Sequence, residues 1–209
     1  MLTLDMLPEI EALMDKQGVN PKTKENLIKC SRFHTFSAPG LLIGVYMTEY
    51  ALELLKAQPD EILYAVSETH KCAPDALQNI AGCTIGNNRL KIIPIGRFAI
   101  TVNRKSRDLE VEGVRVFVDI DKLKQYPTIH AWFTNDPSFD HHGNVLPLLD
   151  EIFAAGRMIL SHEKVMIKTE TKKKWRSITC TICGETVPDY LAEGDRCISC
   201  AGMNYFRKI

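Results

Sequence analysis

The chain has 209 residues, enough for one good-sized domain and a small appendage. Its 26 Lys and Arg balance 26 Asp and Glu, so the chain as a whole has no electrostatic pull toward nucleic acid or acidic lipid, and such binding would need a local patch. The acidic first ten residues lack a secretory pattern, and Leu41 to Leu55, the longest apolar stretch, is interrupted by Glu49 and Glu53; both features read as cytoplasmic.

In chain order, Asp5 to Lys16 and Lys22 to Phe33 read as two amphipathic helices, with Gln17 to Pro21 as the turn between them. Ser37 is the expected N-cap of a longer helix to about Lys56, with Pro39 in its first turn, where a missing N–H costs nothing. Gly40 and Gly44 leave one face of that helix open to close approach. Ile62 to Ser67 reads as a buried strand, and Ala73 to Ala81 as a short helix stopped by Gly82. Leu90 to Ile93, Phe98 to Asn103 and Val111 to Asp119 read as further strands. Val145 to Ala155 is a helix ending at Gly156, and Lys164 to Lys168 a last strand. This order predicts an α+β fold, a mostly antiparallel sheet with helices packed against it. The domain boundary is placed at residue 168, giving a core over 1–167 and a basic linker with a terminal module over 168–209.

Seven cysteines in a chain without an export pattern point to metal or reactive thiols, not to a disulfide framework. Four of them form two pairs, Cys180-Thr-Ile-Cys183 and Cys197-Ile-Ser-Cys200, with thirteen residues between the pairs. Thiolates three positions apart bind one metal from a tight turn, and two such turns complete the closed tetrahedron of a structural zinc site. Gly184 permits the first turn, and Ala201 to Phe206 has room for a short terminal helix, as in a treble-clef finger. Redox pairs and iron are the competing readings of four such thiols.

The second informative stretch runs from Glu68 to Leu90: Glu68-Thr-His70-Lys-Cys72, then Asp75-Ala76-Leu77-Gln78, then Gly82-Cys83-Thr84-Ile85-Gly86-Asn87. Cys72 near a helix N-terminus would gain thiolate character from the dipole. The plain alternative makes Cys72 and Cys83 small buried residues. His70 shares a side of an extended backbone with Cys72, so the two make a candidate nucleophile and base or a candidate ligand pair. Asp140-His141-His142 is a polar loop with two candidate ligands, and His130 reads as a packed residue. Lys172-Lys173-Lys174-Trp175-Arg176 sets an aromatic ring in a basic run, a pattern for nucleic acid or for a solvated linker.

The string Glu68, Cys72, Asp75-Ala-x-Gln78 and Gly82-Cys-Thr-x-Gly-Asn87 resembles the E-subunit family of formylmethanofuran dehydrogenase over about residues 25 to 120. Longer members of that family also end in a four-cysteine finger. The family's upstream His-Gly-His-x-Cys-Pro-Gly appears here as His34-Thr-Phe36-Ser-Ala38-Pro39-Gly40, so Phe36 and Ala38 replace a His and a Cys. Its Asp-x-Gly-Lys appears as Pro94-Ile-Gly96-Arg97. The resemblance implies a metal-binding accessory or sensor protein, a homodimer, and a protein partner in a molybdenum or tungsten enzyme system related to methanogenesis. It implies a core pocket around His34, Cys72 and Cys83, with room for a second metal. Catalysis through Cys72, and regulation through nucleic acid bound by the finger, are the alternative functions.

Overall fold

The computed structural model describes residues 3–141, 143–168, 174–207 and 209. The chain divides into two compact units, Met1–Thr169 and Glu170–Ile209. His142 and the linker residues 169–173, with Lys172 and Lys173 of the basic run, lie outside the described residues.

The first unit begins with α1 (Leu7–Lys16), α2 (Pro21–His34) and α3 (Pro39–Leu55). Asn20 caps α2, its side chain accepting from the Thr23 N–H, and Pro21 fills the first helical position. The helix ends at Thr35, which takes a left-handed φ of 72°. The expected cap of α3 is corrected. Ser37 is fully buried and its hydroxyl donates to Ser31, while Ala38 holds the cap position without a side-chain bond. The serine's interior partner is worth more than an exposed cap, because an unpaired buried hydroxyl costs the full desolvation of that group. Nine residues of α3 are buried, Leu41 to Val45 among them, so this helix is the centre of the core.

The sheet order is β2-β1-β3-β4-β5, from β1 (Leu63–Ser67), β2 (Leu90–Ile92), β3 (Ala99–Arg104), β4 (Glu110–Val118) and β5 (Leu160–Lys168). All pairs are antiparallel except β1 with β2. That parallel pair needs a crossover, which α4 (Ala73–Ile80) supplies. The fold is thus α+β with a mostly antiparallel sheet. At Gly44 an added Cβ would stand 3.1 Å from the Ala73 Cα, so the bare backbone of α3 is what lets α4 approach so closely.

Three short pieces follow β4: α5 (Ile120–Leu123), α6 (Pro127–Phe133) and α7 (Val145–Ala155). Asp119 caps α5, accepting from the N–H groups of Asp121 and Lys122. Among the described residues no helix is long and apolar enough to cross a membrane.

The second unit holds two hairpins. One pairs β6 (Ser177–Thr179) with β7 (Thr186–Pro188), and the other pairs β8 (Ala192–Glu193) with β9 (Arg196–Cys197). The expected terminal helix is absent from the described residues, and Ala201 to Phe206 is turn, bend and irregular chain. Gly202 at φ 132° breaks a segment already too short to nucleate a helix.

Candidate functional site

Each cysteine pair of the second unit sits on a turn closed by the backbone. The Gly184 N–H donates to the Cys180 carbonyl, with Gly184 at φ 74°, and the Ala201 N–H donates to the Cys197 carbonyl. The two turns face each other: the Thr181 N–H donates to the Asp195 carbonyl at the tip of the second hairpin. The result places the sulfurs of Cys180, Cys183, Cys197 and Cys200 within 4.8 Å of one another. Cys183 Sγ and Cys197 Sγ are 4.0 Å apart. A tetrahedral zinc with bonds of about 2.3 Å needs sulfur spacings of about 3.8 Å, so the donor set fits. Cys180 and Cys197 are buried, and the other two are half-buried.

Four thiols this close cannot all ionise on their own. Backbone N–H groups of Cys183 and Cys197 pull the Cys180 thiol down to about 6. The Cys197 sulfur beside it pushes Cys200 up to about 12. A divalent cation removes the conflict by neutralising the thiolates together. All four ligands come from the chain, so the tetrahedron has no open position for a substrate.

The core cleft begins where β1 hands over to α4. Cys72 is the N-cap of α4, at φ 54° and ψ −61°, a positive-φ backbone that side chains avoid. The unit tolerates it because the turn is held on both sides: the Ala73 N–H donates to the Lys71 carbonyl and the Asp75 N–H to the Cys72 carbonyl. Gly40 of α3 lies against Cys72, and a Cβ there would stand 3.3 Å from its sulfur. Burial and the Asp75 carboxylate raise the Cys72 thiol, and they outweigh the lowering by the Lys71 charge and by the Leu41 N–H near the start of α3. Burial is thus the largest influence on this thiol and opposes thiolate character.

Asp75 is the junction of the cleft. Its Oδ2 lies 2.6 Å from His34 Nδ1, and its Oδ1 accepts from Gln78 Nε2 at 3.1 Å. A carboxylate accepts, so His34 donates from Nδ1, which leaves Nε2 as the ring nitrogen for a ligand or proton. Phe36, in the place of a family histidine, packs its ring 4.7 Å from the His34 ring. His34 and Cys72 thus share Asp75 as a neighbour.

Cys83 lies elsewhere. It is fully buried past the far end of α4, and its thiol donates to the carbonyl of Leu63, the first residue of β1. Cys72 stands at the opposite end of α4, five residues past Ser67, the last residue of that strand, and about 13 Å of strand separates Ser67 from Leu63. The rest of the Gly82-to-Asn87 string is a self-bonded loop. Asn87 Nδ2 donates to the Gly82 carbonyl, the Thr84 N–H donates to Asn87 Oδ1, and the Asn87 N–H donates to Thr84 Oγ1. Half of the string is scaffold and half builds the cleft. His70 is exposed, pointing to no shared burial with Cys72.

Two features carried little sequence signal. Glu68, almost buried, is clamped by Arg97 at 2.6 Å and by both nitrogens of a fork from Arg115, which also holds Glu163. The Arg115 fork holds the Glu68 carboxyl below its usual range against burial. Of this set the sequence motifs hold Glu68 and Arg97, while Arg115 and Glu163 lie on strands outside them. The second feature is an open cavity of about 190 Å³ beside the cleft. Phe36 and Pro39 line one side, Trp132 of α6 and the loop residues Phe139 and His141 another, and Val145 and Leu148 of α7 the floor.

A family model described as "FmdE, Molybdenum formylmethanofuran dehydrogenase operon" matches residues 33–177, which take in the whole core cleft and stop before the four cysteines. A crystal structure of a tungsten formylmethanofuran dehydrogenase E-subunit (FmdE)-like protein from Syntrophus aciditrophicus is similar at a TM-score of 0.73 and 33% identity, over 88% of this chain and 95% of that one. A probable S-adenosyl-L-methionine-binding protein of Archaeoglobus fulgidus is 32% identical over 118 residues, 53% of this chain. The match spans only 31% of that relative's length.

Proposed function

The chain belongs to the FmdE family, and on that premise we propose that it is a metal-binding accessory protein with a structural zinc in its terminal unit and a working cleft in its core. The observation that carries this reading is the convergence of Cys180, Cys183, Cys197 and Cys200 to within 4.8 Å. Zinc is the metal because four thiolates at tetrahedral spacing suit it, and a closed site calls for no redox change. Its role is to fold and fix the unit, since metal binding energy here is folding energy.

The core cleft is the part that meets other molecules. His34, oriented by Asp75 through Nδ1, is its best metal ligand or base, acting from Nε2. Cys72 is a ligand or a weak nucleophile, its thiol raised by burial. With Phe36 and Ala38 in place of two family ligands, a metal at the cleft binds more weakly than zinc in the terminal unit. The family points to a protein partner in a molybdenum or tungsten enzyme system and to a homodimer in the cytoplasm. Elemental analysis of the purified chain tests the zinc assignment: one zinc per chain supports it, and no bound metal overturns it. Light scattering at the monomer mass of 23.6 kDa across a wide concentration range would overturn the dimer.

A further inference from the structure

The cavity beside the cleft has a lining unlike the cleft itself. Cys72, Asp75 and His34 are polar groups, whereas the cavity presents the rings of Phe36, Trp132 and Phe139 over the aliphatic floor of α7. Among the described residues the lining has one side chain able to hydrogen-bond besides the Trp132 indole N–H, His141. It stands at the exposed rim, edge-on to the Phe139 ring at 5.0 Å. Behind the lining the aromatic layer continues: Trp132 and Phe133 have ring centroids 6.3 Å apart, and Phe133 meets Phe98 edge-on. A packed second layer holds Trp132 in place, so the wall is preformed. The cavity belongs wholly to the first unit.

We propose that this cavity is a binding site for a neutral, planar aromatic molecule of about nine or ten non-hydrogen atoms, with one polar atom directed to His141. Three properties set the ligand class. The volume of about 190 Å³ exceeds the roughly 150 Å³ apolar cavity that takes a benzene ring, and is well short of the several hundred of a nucleotide site. Among the described residues no carboxylate, lysine or arginine lines it, so a charged ligand would lose its water without gaining a partner. Three rings around the space favour offset-stacked or edge-on contact with another ring over an aliphatic chain. Phe36 makes the connection to the cleft. It walls the cavity and packs on His34, so an aromatic guest rests against the residue that supports the cleft's imidazole. The residue that removes a family metal ligand is the one that supplies the apolar wall.

Indole is the probe, titrated into zinc-loaded full-length protein by calorimetry, with saturation-transfer NMR reporting contact. The expected result is saturable one-to-one binding with a Kd below about 1 mM, a range small ligands of this size reach. Cyclohexanol, an aliphatic ring with one polar atom, should bind at least about tenfold more weakly. Val145→Trp, which fills the cavity from the start of α7, should abolish binding. Phe139→Ala, which removes a loop ring, should weaken it about tenfold. Circular dichroism and zinc content of both variants should match the parent, which separates loss of the site from loss of the fold. Absence of saturable indole binding overturns the proposal. So does equal affinity for cyclohexanol, or indole binding that Val145→Trp leaves unchanged. Zinc content is read on the same samples, so failure here and failure of the zinc assignment are separate results.

Discussion

The four-cysteine unit and the core cleft carry sequence strings of similar sharpness, and they differ in what those strings build. In the terminal unit every cysteine is a donor, and the four sulfurs share one point. In the core the string separates into working and supporting parts: Cys72, Asp75 and Gln78 reach the cleft, while Gly82 to Asn87 closes a loop on itself and Cys83 bonds a carbonyl at the other end of β1. A metal imposes one geometry on its ligands, so spacing alone reveals it. A cleft between helices and a sheet takes its members from distant segments, and a motif within it mixes chemistry with scaffolding.

The sharpest way to break the comparison is Cys197→Ser. Zinc supplies roughly 10 kcal/mol or more to a unit of this kind, so the variant should lose its metal and unfold over residues 174–207. Hydrogen exchange should show the core helices still protected. Collapse of both units together would mean that the core depends on the metal.

In the core the largest effect should come from Glu68→Ala. It leaves the Arg115 guanidinium, whose side chain is 14% exposed, with the exposed Glu163 as its ion-pair partner and the Phe117 ring beneath it. Removing one member of a buried pair costs about 3 kcal/mol, to be read by denaturant unfolding. The same pair sets a pH dependence. The folded Glu68 carboxyl titrates below its ordinary value of 4.5. Its stabilisation is therefore complete above that pH and is lost as the pH falls below it toward the folded value. Unfolding free energy should drop in that acid window in the parent and drop less in Glu68→Ala. A smaller loss is expected for Gly44→Ala, where the new Cβ would meet the Ala73 backbone at 3.1 Å. Forcing α3 and α4 apart costs about 1–2 kcal/mol.

The smallest effect is chemical. Burial pushes Cys30 up to about 12 and Cys83 up to about 11, and both are fully buried. Cys72 is raised as well but is half-buried. A thiol reagent on zinc-loaded protein should label Cys72 first, slowly at about pH 7 and faster as the pH rises toward about 9. Equal labelling of Cys30 would remove the distinction between the cleft and the packed interior.

Long elements are legible because they carry periodic apolar residues and have Pro or Gly at one boundary: α2 and α3 begin at Pro21 and Pro39, and α7 stops at Gly156. The helices α5 and α6 are not. Four and seven residues give too little periodicity, and their signals, the Asp119 cap and Pro127 at the first position of α6, are also turn signals. Strand β5 begins at Leu160, four residues before its expected start, because its Ser161-His-Glu-Lys stretch is held by pairing with β4 and not by burial. The four-cysteine site is fully legible. The His34–Asp75 pair is only half so: both residues stand in the motifs, but the bond between them depends on how α2 packs on α4. The cavity carries no signal, since its walls come from α3, α6, α7 and two loops.

The most direct test of the account is metal stoichiometry on purified, dialysed protein, measured by elemental analysis beside an anomalous-scattering map at the zinc edge. The account predicts one zinc per chain, at Cys180, Cys183, Cys197 and Cys200, and none held through dialysis at His34 and Cys72. A chain without zinc, or with a second tightly held metal in the core cleft, would contradict it.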